Sequence, residues 1–291
     1  MRPLKNTSGV IVALEAHEHM KTRIITAAIL VPLLLIVLVF LPKFITAILF
    51  GLLAAVAVYE LLMGTGYIKQ FRLAAYGMVI AFASSLWSCF GASYVWAVVG
   101  IVVLASVLFV EMMISHIKLR FEKICICFVA SLMIPFLFTA IVRIYADDVT
   151  GRFFVLIPFI LAFLSDSGAY FVGIYLGKHK LAPAISPKKT IEGAIGGVFA
   201  AVAGMLLFSL VLDLAFGFTV YYGYVILYGV VGSVISVFGD LCFSVIKRQT
   251  GIKDYGNLIP GHGGVLDRFD SMVIVAPVTE AMLILIPLAV K

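Results

Sequence analysis

Long apolar runs follow one another along almost the whole chain, and they constrain its fold more than any other feature. About 20 apolar residues, at a rise of 1.5 Å each, cross the hydrocarbon core of a bilayer. The mean hydropathy is +1.17. Charged residues make up only 12% of the chain, whereas roughly a quarter of the residues in soluble domains are charged. We therefore expect an all-α, polytopic integral membrane protein.

The apolar runs divide into about nine predicted transmembrane helices. These spans are 24–41, 44–63, 73–90, 94–114, 124–144, 153–176, 191–215, 224–246 and 272–290. We expect three regions: an extension at 1–19 that is disordered, a transmembrane scaffold at 20–152 with spans one to five, and a catalytic region at 153–291 with spans six to nine. Met20 opens a short basic lead to the first span, which makes it our candidate for the functional start.

The distribution of basic residues predicts the orientation of the spans. With nine spans, 17 of the 21 Lys and Arg residues fall on the side of the N-terminus and of the loops after spans two, four, six and eight. Because cytoplasmic loops are enriched in Lys and Arg, we expect a multi-pass protein of the cell inner (cytoplasmic) membrane with these loops in the cytoplasm. The excess of basic over acidic residues then reflects membrane topology and contact with anionic lipid headgroups, and we expect no nucleic-acid partner.

Charge and glycine are densest between residues 244 and 270, so we expect the functional site there, at the cytoplasmic side of the C-terminal half. Asp240, just upstream, lies inside a predicted span, where a carboxylate is costly unless it is paired or hydrated. Asp240, Asp267 and Asp270 offer the oxygen ligands that suit Mg²⁺ bound to phosphates. A structural ion pair of Asp240 with Lys247 through water is the alternative.

The same stretch contains candidates for phosphate binding. Ser244 and Lys247 share a helical face with Asp240 because they follow it at i+4 and i+7. Glycines around His262 allow backbone N–H groups to cradle phosphate oxygens, and His262 either orients or protonates a phosphate or is a structural hydrogen-bond partner. The basic residues either bind phosphate or only set the topology. We expect catalytic roles for Lys247, Arg248, His262 and Arg268, and substrate contacts from Ser244, Lys253, Gly263 and Gly264.

A second group of polar residues lies in and after span six. Asp166 falls inside an apolar run, where a carboxylate indicates a functional site or a helix-packing residue satisfied by neighbouring serines. Thr190 is placed to cap the next helix, and a capped N-terminus beside lysines favours an anion; the alternative is a capped helix with topogenic lysines. The residues of this group that we expect to bind substrate are Ser165, Asp166, Ser186, Lys188, Lys189, Thr190 and Glu192.

Residues 244–270 fit the pattern S-x-x-K-R-x4-K-D-x-G-x2-I-P-G-H-G-G-x2-D-R-x-D at every fixed position. This pattern resembles the signature of the phosphatidate cytidylyltransferases, the CDP-diacylglycerol synthases. The upstream segments S-D-S-G-A-Y and S-P-K-K-T-x-E-G are also similar to this family, and the resemblance covers roughly residues 20–291. The extension before Met20 departs from the usual family start.

The resemblance implies that CTP and phosphatidic acid react to give CDP-diacylglycerol and pyrophosphate. It also implies a divalent metal, here Mg²⁺, held by aspartates at the positions of Asp240 and Asp267, and it allows a monovalent cation such as K⁺ beside it. The expected partners are therefore CTP, phosphatidic acid and the lipid bilayer. A homodimer is a further expectation, because the first five spans offer packing surface.

Two other functions stay open from the residues. A CTP-dependent membrane lipid (polyprenol) kinase would need the same nucleotide and metal but would transfer the γ-phosphoryl group. An ion-coupled transporter would use Asp166 and Asp240 as coupling-ion sites. Transporters often show repeat symmetry and broken helices, and neither is visible in this sequence.

Overall fold

The computed structural model describes residues 28–91, 93–115, 119–145, 150–259, 261 and 263–291. The expected extension at 1–19 and the candidate start at Met20 lie outside these residues. Within them, the helices are α1 (Ala28–Phe40), α2 (Lys43–Tyr59), a π-helix (Glu60–Gly64), α3 (Phe71–Phe90), α4 (Tyr94–Ile114), α5 (Phe121–Phe138), α6 (Ala140–Ile144), α7 (Gly151–Phe154), α8 (Ile157–Leu176), α9 (Ile191–Phe216), α10 (Tyr222–Gln249) and α11 (Leu266–Leu285). The strands are β1 (Lys180–Ala182), β2 (Ser186–Thr190), β3 (Thr219–Val220) and β4 (Ala289–Val290).

Seven segments of the described chain are long and apolar enough to cross a membrane. These seven spans are Lys43–Gly64, Phe71–Phe90, Tyr94–Ile114, Phe121–Ile144, Gly151–Leu176, Ile191–Phe216 and Tyr222–Gln249. The protein is therefore a helical multi-pass membrane protein, as predicted. The count of nine is not confirmed, because the described part of α1 is shorter than a span and α11 carries charged residues along its length.

The last helix differs from its predicted bounds. It begins at Leu266, before the predicted start at 272, so Asp267 and Asp270 belong to its first turns. It ends at Leu285 because Ile286 leaves the helical conformation and Pro287 follows it. The following residues form β4, which pairs antiparallel with β3. This pairing places the end of α9 beside the residues that follow α11.

The described residues are mostly helical, but they also form two short antiparallel ribbons that the all-α prediction did not include. One is β3–β4, and the other is β1–β2, in which Lys180 pairs with Thr190 and Ala182 with Ser186. The β1–β2 ribbon occupies the basic connection between α8 and α9. A polar connection of this length satisfies its backbone groups by pairing with itself.

Four phenylalanines connect the two halves of the bundle. The Phe138 ring of α5 lies 5.7 Å from Phe50 of α2 and 5.3 Å from Phe269 of α11. Phe159 of α8 lies 6.3 Å from Phe50. Tilted and edge-on contacts at these centroid distances are favourable. The expected scaffold and the expected catalytic region therefore share one core.

Small residues bring α8 and α9 into close contact. A Cβ atom added at Gly168 would overlap Ala200 and approach the Gly196 carbonyl oxygen to 2.8 Å. A Cβ atom at Gly197 would lie 2.7 Å from the Ser165 carbonyl oxygen. Glycines allow helices to approach this closely in a membrane. The contact fixes Ser165 and its neighbour Asp166 relative to α9.

Candidate functional site

Three carboxylates from three helices lie close together: Asp166 of α8, Asp240 of α10 and Asp270 of α11. Each interacts electrostatically with the other two. We call them the carboxylate cluster. The Asp166 side chain is exposed at the surface of α8. The Ser271 hydroxyl, 3.5 Å from Asp166 Oδ2, connects α11 to α8.

Asp240 is neutralised from outside its own helix. Its Oδ2 lies 2.5 Å from Lys189 Nζ, at the end of β2. The Lys189 nitrogen is buried and makes no aligned hydrogen bond with a described residue, so this ion pair is what holds it. The Ser244 hydroxyl donates to Asp240 Oδ1 over 3.1 Å, which confirms that Asp240 and Ser244 share one face of α10. In this structure Asp240 is paired with Lys189, in place of the alternative pair with Lys247.

Lys247 connects α10 to α11. Its ammonium group donates to Asp267 Oδ1 over 3.0 Å and lies 3.7 Å from Asp270 Oδ2. Lys247 is 8% exposed and the two aspartates are similarly buried. Removing one partner of a buried pair leaves an uncompensated charge, which costs about 3–5 kcal/mol. One buried cation therefore sets the distance between α10 and the carboxylates of α11.

The second oxygen of Asp267 holds the loop before α11. Asp267 Oδ2 accepts hydrogen bonds from the Tyr255 and Gly264 N–H groups over 2.7 and 3.0 Å. The Gly263 backbone, at φ 84°, reverses the chain beside this carboxylate, in a conformation that favours glycine. Burial raises the pKa of the Tyr255 hydroxyl, which stays protonated and donates to the Phe243 carbonyl over 2.8 Å.

The β1–β2 ribbon is anchored at both of its ends. Glu192, in the first turn of α9, accepts hydrogen bonds from the backbone N–H groups of Lys178 and His179 over 3.0 and 3.1 Å, and lies 2.6 Å from His179 Nδ1. Arg248 Nε donates to the Ile185 carbonyl at the ribbon turn over 3.1 Å. Thr190 caps α9 as predicted, since its hydroxyl accepts the Gly193 N–H over 3.1 Å. The ribbon therefore lies against α10 and carries Lys189 to the cluster.

Other predicted site residues have different surroundings. Ser165 is buried against Ser233 of α10, with 2.7 Å between the hydroxyl oxygens. The side chains of Lys188, Arg248, Lys253 and Arg268 are exposed, and Ser186 is half-buried in β2. His262 lies outside the described residues. Their predicted roles in catalysis and binding stay predictions.

Glu60 is a further carboxylate that was not among the predicted site residues. This carboxylate lies at the end of the second predicted span, which was expected to be scaffold. In the structure it is buried, and it accepts hydrogen bonds from the Val265 and Leu266 N–H groups at the start of α11. The signal that would have found it is an acidic residue in an otherwise apolar run.

The donor chemistry of the carboxylate cluster fits a magnesium ion, which prefers oxygen ligands. Asp240 and Asp270 are the predicted ligands that belong to the cluster. Asp267 differs, because both of its oxygens already accept hydrogen bonds from protein groups. Among the described residues, no group of three His, Cys, Asp or Glu side chains is arranged to hold a metal. The metal role of these aspartates therefore stays a prediction.

Fold and site together define a class: a helical multi-pass membrane protein with lysine–carboxylate ion pairs at one end of its bundle. Comparison with known sequences identifies the family within this class. The profile of the Cytidylyltransferase family matches residues 21–286. Because the match covers most of the chain, the protein belongs to the cytidylyltransferase family.

Curated relatives agree with the family. Proteins named phosphatidate cytidylyltransferase from Staphylococcus aureus (strain COL) and Staphylococcus haemolyticus (strain JCSC1435) are each 39% identical to the chain over 160 residues. The matched region covers 55% of this chain and 58% of each relative. The chain thus spans little more than half the length of the curated relatives that it matches.

Proposed function

We propose that this protein is a phosphatidate cytidylyltransferase, which transfers CMP from CTP to phosphatidic acid and yields CDP-diacylglycerol and pyrophosphate for phospholipid biosynthesis. The observation that carries the proposal is the lysine–carboxylate centre on α10, α11 and β2, in a chain of the cytidylyltransferase family. The names of the relatives support the choice of phosphatidate as the acceptor.

The reaction explains why such a centre lies in a membrane protein. A phosphate oxygen of phosphatidic acid attacks the α-phosphorus of CTP and forms a new P–O bond. The bond from the α-phosphorus to the bridging oxygen breaks, and pyrophosphate leaves with its electron pair. The attacking phosphate is already ionised, so no general base is needed. Catalysis depends on positioning and on charge stabilisation.

Different described residues would contribute to substrate positioning and to charge stabilisation. Lys247, which is buried, and Lys189, whose ammonium nitrogen is buried, are the cations of the centre. Each would bind a phosphate when the substrate competes for its carboxylate partners. Arg248, Lys253 and Arg268 are exposed at the same end of the bundle, where they would receive the triphosphate and the pyrophosphate. The Gly263 N–H group is expected to lie near the phosphates, and His262 is expected to act with it. The predicted substrate contact through the Gly264 N–H is not supported, because that group already donates to Asp267.

Mg²⁺ is the proposed cofactor, with a monovalent cation such as K⁺ as a second proposal. Asp240 and Asp270 would hold the magnesium ion, and Asp267 would support them. A bound magnesium ion supplies charge neutralisation for the phosphate groups. The protein residues do the rest: Lys189 and Ser244 fix the orientation of Asp240, and Lys247 fixes Asp270.

We further propose that the protein resides in the cell inner membrane with the site open to the cytoplasm, where CTP is present. The bias of basic residues supports this orientation. A homodimer through the first five helices is part of the same proposal. Its support is the apolar helix α4, in which only 17% of the membrane-crossing segment is buried inside the chain. The rest of this segment offers a surface for a second copy.

The test is an assay with purified protein, phosphatidic acid in mixed micelles, and CTP labelled at either the α or the γ position. We expect the α label in the lipid product and the γ label in pyrophosphate, with activity lost on adding a chelator and restored by Mg²⁺. Transfer of the γ label to a polyprenol would overturn the proposal in favour of a lipid kinase.

A further inference from the structure

Glu60 is a buried carboxylate that lies outside all of the expected site residues. It is 3% exposed and begins the π-helix Glu60–Gly64 that continues α2. Single π-turns within helices are frequent at functional sites. A buried acidic side chain in a membrane protein needs strong partners to remain there.

The partners of Glu60 are backbone N–H groups at the start of α11. Glu60 Oε1 accepts the Val265 N–H over 3.0 Å, and Oε2 accepts the Leu266 N–H over 2.7 Å. The first N–H groups of a helix have no partner within it, and a negative charge there interacts favourably with the helix dipole. Glu60 therefore caps α11 from 205 residues away in the chain.

Glu60 and Asp267 together accept hydrogen bonds from three consecutive backbone N–H groups at the start of α11. Asp267 accepts the Gly264 N–H, and Glu60 accepts the N–H groups of Val265 and Leu266. Two glycines make the approach feasible. A Cβ atom at Gly264 would lie 2.5 Å from both Glu60 oxygens, and one at Gly256 would lie 2.5 Å from Oε1.

We propose that Glu60 is a positioning residue for the transfer reaction. By fixing the first turn of α11, it sets Asp267 and Asp270 against Lys247 and the substrate phosphates, although it touches no substrate itself. This inference rests on the proposed function. Its physical basis is the sensitivity of a charge-stabilised reaction to geometry, where a displacement of about 1 Å can cost 10²-fold in rate.

The first test is Glu60→Gln, measured as kcat and KM per folded molecule. An amide group keeps the size of the side chain but loses its charge and one acceptor. We expect kcat to fall about 10- to 100-fold, as for outer partners of ligating groups, with the KM for CTP nearly unchanged. Glu60→Asp keeps the charge and should recover part of the lost kcat.

Gly256→Ala is an independent variant that keeps Glu60 and displaces its carboxylate by steric contact. Gly256→Ala should reduce kcat in the same way as Glu60→Gln. It also tests the proposal if Glu60→Gln does not accumulate as folded protein. Gly223→Ala is the matched control, because a Cβ atom there meets nothing within 4 Å. Glu111→Gln is the control for loss of a buried carboxylate, since Glu111 pairs with Arg72 and Tyr76 away from α11.

Amide hydrogen exchange across residues 263–270 separates this proposal from the proposed function. We expect faster exchange at Val265 and Leu266 in Glu60→Gln than in the wild type, and no change in Glu111→Gln. Wild-type protein without transfer activity would contradict the proposed function. Faster exchange at Val265 and Leu266 in Glu60→Gln would still show that Glu60 caps α11. Unchanged exchange at these amides, or an unchanged kcat in both Glu60→Gln and Gly256→Ala, would overturn the positioning role.

Discussion

Asp267 shows how one side chain serves several parts of the site. Its two oxygens accept hydrogen bonds from Lys247, Tyr255 and Gly264, so it joins α10, the loop and α11. Charge-assisted hydrogen bonds of this kind are roughly twice as strong as neutral ones. The i, i+3 spacing places Asp267 and Asp270 one turn apart on α11, but it does not indicate that the single lysine Lys247 contacts both.

For this single residue we predict that Asp267→Asn abolishes formation of the CDP-lipid, with a loss of transfer activity of about 10²-fold or more. The amide group removes the negative charge that holds Lys247 in place. Activity is measured per inserted protein with α-labelled CTP. Glu122→Gln, at an exposed carboxylate paired with Arg120, is the control and should retain full activity. An Asp267→Asn protein with normal activity would refute a role for this carboxylate.

Of the two ribbons that the sequence did not predict, β1–β2 is the one that reaches the site. The segment reads as a basic connection with a helix cap, and the cap at Thr190 is confirmed. The ribbon itself arises from pairing of Lys180 with Thr190, which local composition did not reveal. Its consequence is that Lys189 reaches Asp240.

We predict that Glu192→Gln loosens the ribbon and raises the KM for CTP by about 10-fold, with a smaller effect on kcat. Glu192 holds two backbone N–H groups. Charge-assisted hydrogen bonds are stronger than neutral ones, and their exposure to solvent at Glu192 keeps the expected effect moderate.

Steady-state kinetics over a range of CTP concentrations measures both constants for Glu192→Gln. His179→Ala removes only the side-chain contact and leaves both backbone bonds, so its effect should be smaller. Equal KM values in Glu192→Gln and wild type would show that the ribbon does not depend on this anchor.

The whole molecule is one packed body in which the predicted scaffold and catalytic regions share a core. α11 packs against α5, α6, α8 and α10. At the other end of α11, Arg143 Nε lies 2.7 Å from Glu280 Oε1 and closes the contact with α6. Such contacts agree with the proposal that Glu60, in the π-helix after α2, influences the site through α11.

We predict that Phe138→Ala lowers the free energy of unfolding by about 3–5 kcal/mol, as for other large-to-small changes in a core. Phe138 is fully buried and contacts both Phe50 and Phe269. Thermal denaturation in detergent measures the change. Phe199→Ala, at a ring that is 73% exposed, should leave the melting temperature unchanged. Similar melting curves for the two variants would contradict a shared core.

The sequence by itself determined the membrane environment, most of the helices and the stretch that carries the site. Apolar runs have no stable alternative to helices in lipid, and spacing along one helix places Asp240 beside Ser244 without any tertiary information. The tertiary structure alone decided the partners: Lys189 for Asp240, Lys247 for Asp267 and Asp270, and Glu60 for the start of α11. These contacts join residues distant in the chain, and only the packing of the helices determines which of many similar charges meet.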